Sequence, residues 1–206
     1  MIFLGVYDDW IKATFTVKQL LAKTEEKIVV RFDGQKNPLS SEFPCEKRVF
    51  LVWGSERLKQ RGYGGRNAHN YLNLYLSFSK DDTLIKIDPD TGVNRAPILP
   101  DSFDVASNVL DLGEDKYLQG GAMAFSSYAA HRIIDSKILL DDKYKGLDWC
   151  YRWQRKEWIP CEDKILYDVI QRLKLNLVDW NDVYATRYDS FNPPYPMESY
   201  SFYHPL

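Results

Sequence analysis

"GYGGRNAHNYLNLYLSFSKDDTLIKIDPDTGV", residues 62–93, decides how the rest of the chain is read. Its glycines open a turn, and Ala68, Tyr71, Leu72, Tyr75 and Phe78 then recur at the spacing of one helix face. A short polar link leads to Leu84–Ile87, an apolar run of strand type, which ends on Asp88-Pro89-Asp90-Thr91-Gly92. Proline after an aspartate, with a glycine soon after, is turn chemistry and by itself accounts for the segment. Two carboxylates held one residue apart at a strand end are equally suited to a hard divalent cation, bound directly or through water. Both readings stay open at this point.

Upstream, the same alternation repeats. "IFLGVY" (2–7) is a continuous apolar and aromatic run, followed by Asp8, Asp9 and then "WIKATFTVKQLLAK" (10–23), where Ile11, Phe15, Leu20 and Leu21 fall at helical spacing. "KIVVRFDG" (27–34) and "RVFLVWG" (48–54) are strand-like and each ends in glycine. Strands apolar on both faces suit a sheet covered on two sides. Strand alternating with helix over the first ninety residues predicts an α/β domain with a central mixed, mostly parallel sheet flanked by helices. Downstream, "FDVASNVLDL" (103–112) and "KYLQGGAMAF" (116–125) read as strands, and "SSYAAHRIIDSKILL" (126–140) as a Ser-capped helix. "CEDKILYDVIQRLKL" (161–175) places Ile165, Leu166, Val169, Ile170 and Leu173 on one stripe. The tail "FNPPYPMESYSFYHPL" (191–206) is aromatic, proline-rich and poor in charge, so it is expected to dock on the body.

With 206 residues, 45% of them hydrophobic and 15% aromatic, the chain can bury the core of a single domain. Charged residues make up 27% and nearly cancel, to a net charge of −2, so no global field attracts nucleic acid and any anionic ligand must be met locally. The N-terminal apolar run is too short to span a membrane and has no basic residues before it. Cys45, Cys150 and Cys161 are odd in number and contain no CxxC pair, which argues against a disulfide framework or a cysteine zinc site and for a reducing, cytoplasmic setting.

Ligands of open α/β sheets sit beyond the carboxyl ends of the strands. Tyr7-Asp8-Asp9, Asp33-Gly34, the turn from Gly62 to Asn67 and Asp88-Pro89-Asp90 are expected to converge there. A cation on the aspartate pair can bridge the oxygens of a diphosphate; Mg²⁺ prefers all-oxygen ligation, whereas Mn²⁺ also tolerates nitrogen. Of the three histidines, His69, His131 and His204, the last lies on the aromatic tail, which could fold back over the mouth of such a site.

Taken together, the glycine turn, Arg-Asn, amphipathic helix, apolar strand and Asp-x-Asp closely resemble the nucleotide-sugar half of GT-A-fold (Rossmann-like) glycosyltransferases, virus-encoded members among them. The order continues downstream: "LQGGAMAFSSYAAHRI" resembles the family's Gly-Gly segment before a helix on the acceptor side, and "CEDKILYDVIQRL" its acidic helix start. Two positions depart from common patterns, Pro89 between the aspartates and the single acid Asp33 in "FDG" where a pair is frequent. The resemblance implies one domain over 1–206, with a nucleotide-sugar and metal half at 1–92 and an acceptor half at 93–206 whose tail covers the site. A place within a larger multidomain chain is left open.

It further implies a site. Asp88, Asp90 and His204 would hold Mn²⁺ or Mg²⁺ on the diphosphate of a UDP-sugar, UDP-glucose or similar. Tyr7 would stack on uracil, or else belong to the core; Asp9 and Asp33 would accept from base or ribose, unless Asp9 is only a helix cap. Arg66, with Arg61 as a second candidate, would neutralise phosphate or remain solvated. Asn67 would touch the ligand or cap its helix, and Gly120 and Gly121 would admit the sugar or relieve strand-end strain. Asp163, with Glu162, would serve the hydroxyl of a glycan acceptor as base or orient the donor sugar, though acids at a helix start also stabilise its dipole. Trp149, Trp153 and Trp158 would line the acceptor cleft or pack in the core. Retention of anomeric configuration is weakly favoured by a tail histidine ligand.

Two rivals belong to other classes. A sugar-phosphate nucleotidyltransferase normally has a basic, Gly-rich N-terminal loop, where this chain has the acidic "GVYDDWIK". A non-catalytic carbohydrate-binding module is suggested by the six Trp and fourteen Tyr, and predicts glycan binding indifferent to metal. "GYGG" lacks the following Lys-Ser/Thr of a P-loop, which excludes that mode of ATP binding.

Overall fold

In a computed structural model of the chain, residues 1–6, 10–33, 43–54, 64–79, 82–111, 116–144, 151–152, 157–158, 162–185 and 197–204 are described. Strand β1 (Ile2–Val6) leads to helix α1 (Trp10–Lys23), then β2 (Ile28–Asp33), β3 (Val49–Gly54), α2 (Gly64–Phe78) and β4 (Leu84–Ile87). Beyond the aspartate turn come β5 (Gly92–Val93), β6 (Val105–Asp111), β7 (Lys116–Phe125) and α3 (Ser127–Ser136). The remainder holds β8 (Tyr151–Arg152), β9 (Glu157–Trp158), α4 (Glu162–Leu173), β10 (Leu177–Asp179), β11 (Val183–Ala185) and β12 (Phe202–His204).

Seven strands form the main sheet in the order β10-β6-β7-β4-β1-β2-β3. Strands β1 to β4 run parallel, so Val6, Asp33, Gly54 and Ile87 all end on one edge. Strand β7 runs antiparallel between β4 and β6, which makes the sheet mixed and lays Gly121 beside Asp88. Alternation along each strand divides the side chains between two cores. Phe3, Val29, Leu84, Met123 and Phe125 face α2, α3 and α4, whereas Ile2, Leu4, Val6, Ile85 and Ile87 face α1 and the tail.

The helix-forming stretches fold as read, with two corrections. In α1 the apolar residues Ile11 and Phe15 are exposed, and the buried face is Ala13, Thr16, Val17 and Leu20. The 126–140 stretch does not stay one helix: Ser126 caps α3 as expected, but Lys137 adopts φ 56° and a short 3-10 turn follows at 138–140. Outside the main sheet, β12 lies between β11 and β5, parallel to the first and antiparallel to the second. That pairing docks the tail: Tyr200, Ser201 and Phe202 are buried, and Asn94 Nδ2 donates to the Tyr200 carbonyl at 3.0 Å. No described helix is long and apolar enough to cross a membrane.

Candidate active site at the carboxyl edge of the sheet

Strand β4 delivers Asp88 to the parallel edge, and the chain reverses at once. Thr91 N–H donates to the Asp88 carbonyl at 3.1 Å, closing a four-residue turn with Pro89 in its favoured second position. The turn is anchored from below, since the Thr16 hydroxyl on α1 lies 2.8 Å from the Pro89 carbonyl and 2.9 Å from that of Thr91. From the side, Asp88 N–H donates to Gly121 at 3.1 Å and the Thr91 hydroxyl to the same carbonyl at 3.2 Å. Both aspartates are therefore set on a rigid support. The segment is not a hairpin: β4 stays in the main sheet, and β5 leaves it to pair with β12.

Each aspartate has a lysine beside it. Lys86 Nζ lies 2.9 Å from Asp88 Oδ1, with side chains only 4% and 19% exposed. Lys12 Nζ is 3.5 Å from Asp90 Oδ2, and its side chain is 57% exposed. Lys86 follows Leu84 by two residues on the face towards α2 and α4, and Asp88 follows Lys86 by two more.

On that face stands Tyr71 of α2, buried, with its ring 6.1 Å from Phe3 and 6.3 Å from Phe125. Its pKa is held well above the ordinary phenol range by burial first, then by the charges of Glu162, Asp163 and Asp88. The phenol thus stays neutral and marks the point where the head of α4 meets the aspartate turn. Acidic residues in the first turn of α4 also lie favourably in its dipole.

The other expected site residues divide as follows. Asp33 is buried at the end of β2, and Arg31 Nε donates to its Oδ1 at 2.7 Å. The pair overlies Gly54, where any Cβ would collide with both side chains. Asp33 is two strands from β4, about 10 Å across the sheet. Arg66 is exposed in the first turn of α2, and Asn67 is buried there. Because α2 begins at Gly64, Asn67 lies inside the helix, which removes the cap reading. Gly65 is needed for packing, since a Cβ there would meet the Leu139 carbonyl.

Gly120 lies in β7 next to Gly121. The backbone of His204 ends β12, where Tyr203 pairs with Gly92, so one more step of that register reaches Thr91. The Tyr203 ring occupies the space that a Cβ on Gly92 would need. Tyr7, Asp9, Arg61, Trp149 and Trp153 lie outside the described residues, and Trp158 is described only by its backbone in β9.

Asp88 and Asp90 are thus set beside Gly121 at the carboxyl edge, with Glu162 and Asp163 near enough to act, as Asp88 does, on the charge state of Tyr71. Sequence reading missed Lys86 and Tyr71 there. Period-two alternation puts Lys86 on the Asp88 face, and a tyrosine on a buried helix face has a hydroxyl to satisfy; both were available signals. Among the described residues no three His, Cys, Asp or Glu side chains are grouped so as to hold a metal ion. The donor set itself, two carboxylates on a fixed turn with a histidine-bearing strand alongside, is of the chemistry that hard divalent cations take.

The fold has counterparts among solved structures. The galactosyltransferase LgtC, in complex with donor and acceptor sugar analogs, superposes with a TM-score of 0.56 over 98% of this chain and 86% of that one, at 11% identity. The architecture is GT-A-like. An active-site mutant of LgtC gives 0.57 with the same coverage and identity. The glycosyltransferase GlyE of Streptococcus pneumoniae TIGR4 gives 0.55 at 14% identity, over 88% of this chain but 45% of that one. No protein-family model and no curated protein matches the sequence. At these identities the likeness establishes the GT-A-like fold, in which a mostly parallel sheet carries its site at the carboxyl edge.

Proposed function

We propose that this chain is a metal-dependent glycosyltransferase that moves a sugar from a UDP-sugar, UDP-glucose or similar, to a hydroxyl of a carbohydrate acceptor. One observation carries the reading: the turn bearing Asp88 and Asp90 is fixed at the carboxyl edge of the sheet by Thr16 of α1 and Gly121 of β7, and the adjacent Glu162 and Asp163, far along the chain at the head of α4, lie near enough to raise the pKa of the same buried Tyr71 that Asp88 raises. The GT-A-like fold supports it, as does the complex of LgtC with donor and acceptor sugar analogs.

In this reading Asp88 and Asp90, with His204 from the tail, would hold Mn²⁺ or Mg²⁺. When bound there, such a cation would supply positive charge against that of a departing nucleotide diphosphate. Arg66, exposed at the head of α2, adds a second positive charge for phosphate, with Arg61 as its companion. Tyr7, Asp9 and Asp33 receive the base and ribose, and Gly120 and Gly121 let the sugar lie close to backbone. Asp163 orients the donor sugar where the hydroxyl attacks from the face that the diphosphate leaves, which retains configuration, or accepts the hydroxyl's proton where attack comes from the opposite face, which inverts it; Glu162 supports it from the same helical turn. Retention of configuration and a cytoplasmic setting complete the proposal, the latter in keeping with an exposed free Cys45.

The test is calorimetric titration with UDP, with and without Mn²⁺. Wild-type protein is expected to bind UDP much more tightly with the cation, and Asp90→Asn to lose that dependence while keeping its melting temperature. UDP affinity equal with and without Mn²⁺ in the wild type, or still Mn²⁺-dependent in the variant, removes the assignment. Turnover of UTP and a sugar phosphate to pyrophosphate would transfer it to the nucleotidyltransferase class.

A further inference from the structure

We propose that Lys86 is a resident counter-cation of Asp88 that keeps the divalent ion from binding ahead of the nucleotide, so that metal and diphosphate enter as a pair. The inference rests on the function proposed above and concerns how its cation site is set. Lys86 occupies the middle of β4 between Ile85 and Ile87, a position where apolar residues are the rule, and all four residues of the strand are buried. A buried ammonium ion needs a close partner, and Asp88 Oδ1 at 2.9 Å provides it.

The pair changes what the aspartate turn offers a metal. With Lys86 alongside, the Asp88 carboxylate is already neutralised, and an incoming divalent ion meets a fixed positive charge within a few ångströms. Screening there is weak, because the lysine side chain is only 4% exposed. The lysine at Asp90 does not act comparably: Lys12 is mostly exposed and stands at 3.5 Å, so solvent and salt blunt its effect. A diphosphate alters the balance, since its negative charges attract both the metal and the ammonium. Metal and nucleotide then strengthen each other's binding by the same factor.

The experiment measures Mn²⁺ binding directly, by the paramagnetic resonance signal of free Mn²⁺, with and without UDP. Four proteins are compared: wild type, Lys86→Gln, Lys86→Met and Lys86→Arg. Wild-type protein is expected to bind Mn²⁺ weakly alone and at least about tenfold more tightly with UDP, the scale on which one nearby charge shifts another's equilibrium. Lys86→Gln, which can still hydrogen-bond Asp88, should bind Mn²⁺ alone about tenfold more tightly than wild type and lose coupling to the same extent. Lys86→Met tests the same loss of charge without the hydrogen bond, and Lys86→Arg should behave as wild type.

Equal Mn²⁺ affinity in wild type and the uncharged variants, with Mn²⁺-UDP still bound by all, overturns the role of Lys86 and leaves the function standing. Failure of the wild type to bind Mn²⁺ even with UDP overturns both. Should Lys86→Met not fold, Lys86→Gln against Lys86→Arg decides: Mn²⁺ affinity without UDP that is equal in these two ends the proposal.

Discussion

Asp168 on α4 ties the 142–144 turn to the helix, accepting from Lys143 Nζ at 2.8 Å and from the Tyr144 hydroxyl. Burial pulls its pKa upward, but those two hydrogen bonds and the charges of Lys143 and Arg172 outweigh it, and the net shift is downward. A carboxylate whose folded pKa is depressed contributes stability above its unfolded pKa, near 4, and loses it as pH falls through the folded value. Thermal unfolding followed from pH 7 to pH 2 should therefore fall less steeply below about pH 4 in Asp168→Asn than in wild type, by under about 1 kcal/mol for so exposed a group. Parallel curves would deny the pair any weight. At this scale the sequence was legible where chemistry is local. Asp88-Pro89-Asp90-Thr91 carries its own turn signals and forms the turn. Lys86 was legible by the same local alternation, two residues before Asp88, whereas what Tyr71 does depends on α4, whose first residues lie far along the chain.

Helix ends illustrate what elements demand of single residues. Helix α4 closes with Leu175 N–H on the Ile170 carbonyl and Lys174 N–H on that of Gln171, both 3.1 Å, while Leu175 packs beside the buried Ile170. This is a Schellman closure, and its left-handed position is filled by Lys174 at φ 53° rather than by glycine. A side chain there costs roughly 1–2 kcal/mol, partly offset because glycine leaves the unfolded chain freer. Lys174→Gly is expected to raise stability by about 0.5–1 kcal/mol in urea unfolding, without change in the slope against denaturant. A lower midpoint would mean that the Lys174 side chain contributes more than its backbone costs. Element types were legible in the longer elements, because strands and helices differ in the period of their apolar residues. The face of α1 was not. Its buried stripe includes Thr14 and Thr16, whose hydroxyls bond carbonyls, Thr14 to Trp10 at 2.7 Å and Thr16 to Pro89 at 2.8 Å, so a polar composition conceals a packed surface.

Across the whole molecule, the mostly parallel half was legible from alternating strand and helix, while the small sheet of β11, β12 and β5 was not. Its strands are two or three residues long, and its links join distant segments, such as Asn94 to the Tyr200 carbonyl 106 residues on. Such pairing leaves no local period to read. The same links make the tail a structural part of the aspartate turn. Phe202 is fully buried, its ring 6.2 Å from Trp180 at 86°, and its strand pairs with β5 directly beyond Asp90. Around it, Arg95, Asp182 and Ser201 form a charged and hydrogen-bonded clasp. Phe202→Ala should cost about 3–5 kcal/mol by leaving a cavity in the α1-side core. Ile133→Ala, in the opposite core on α3, should cost a comparable 2–5 kcal/mol. If the tail holds the turn in place, only Phe202→Ala will also weaken Mn²⁺-dependent UDP binding, measured well below both melting temperatures. Equal weakening in the two variants would reduce the effect to general loss of stability, and unchanged binding in Phe202→Ala would separate the tail from the site.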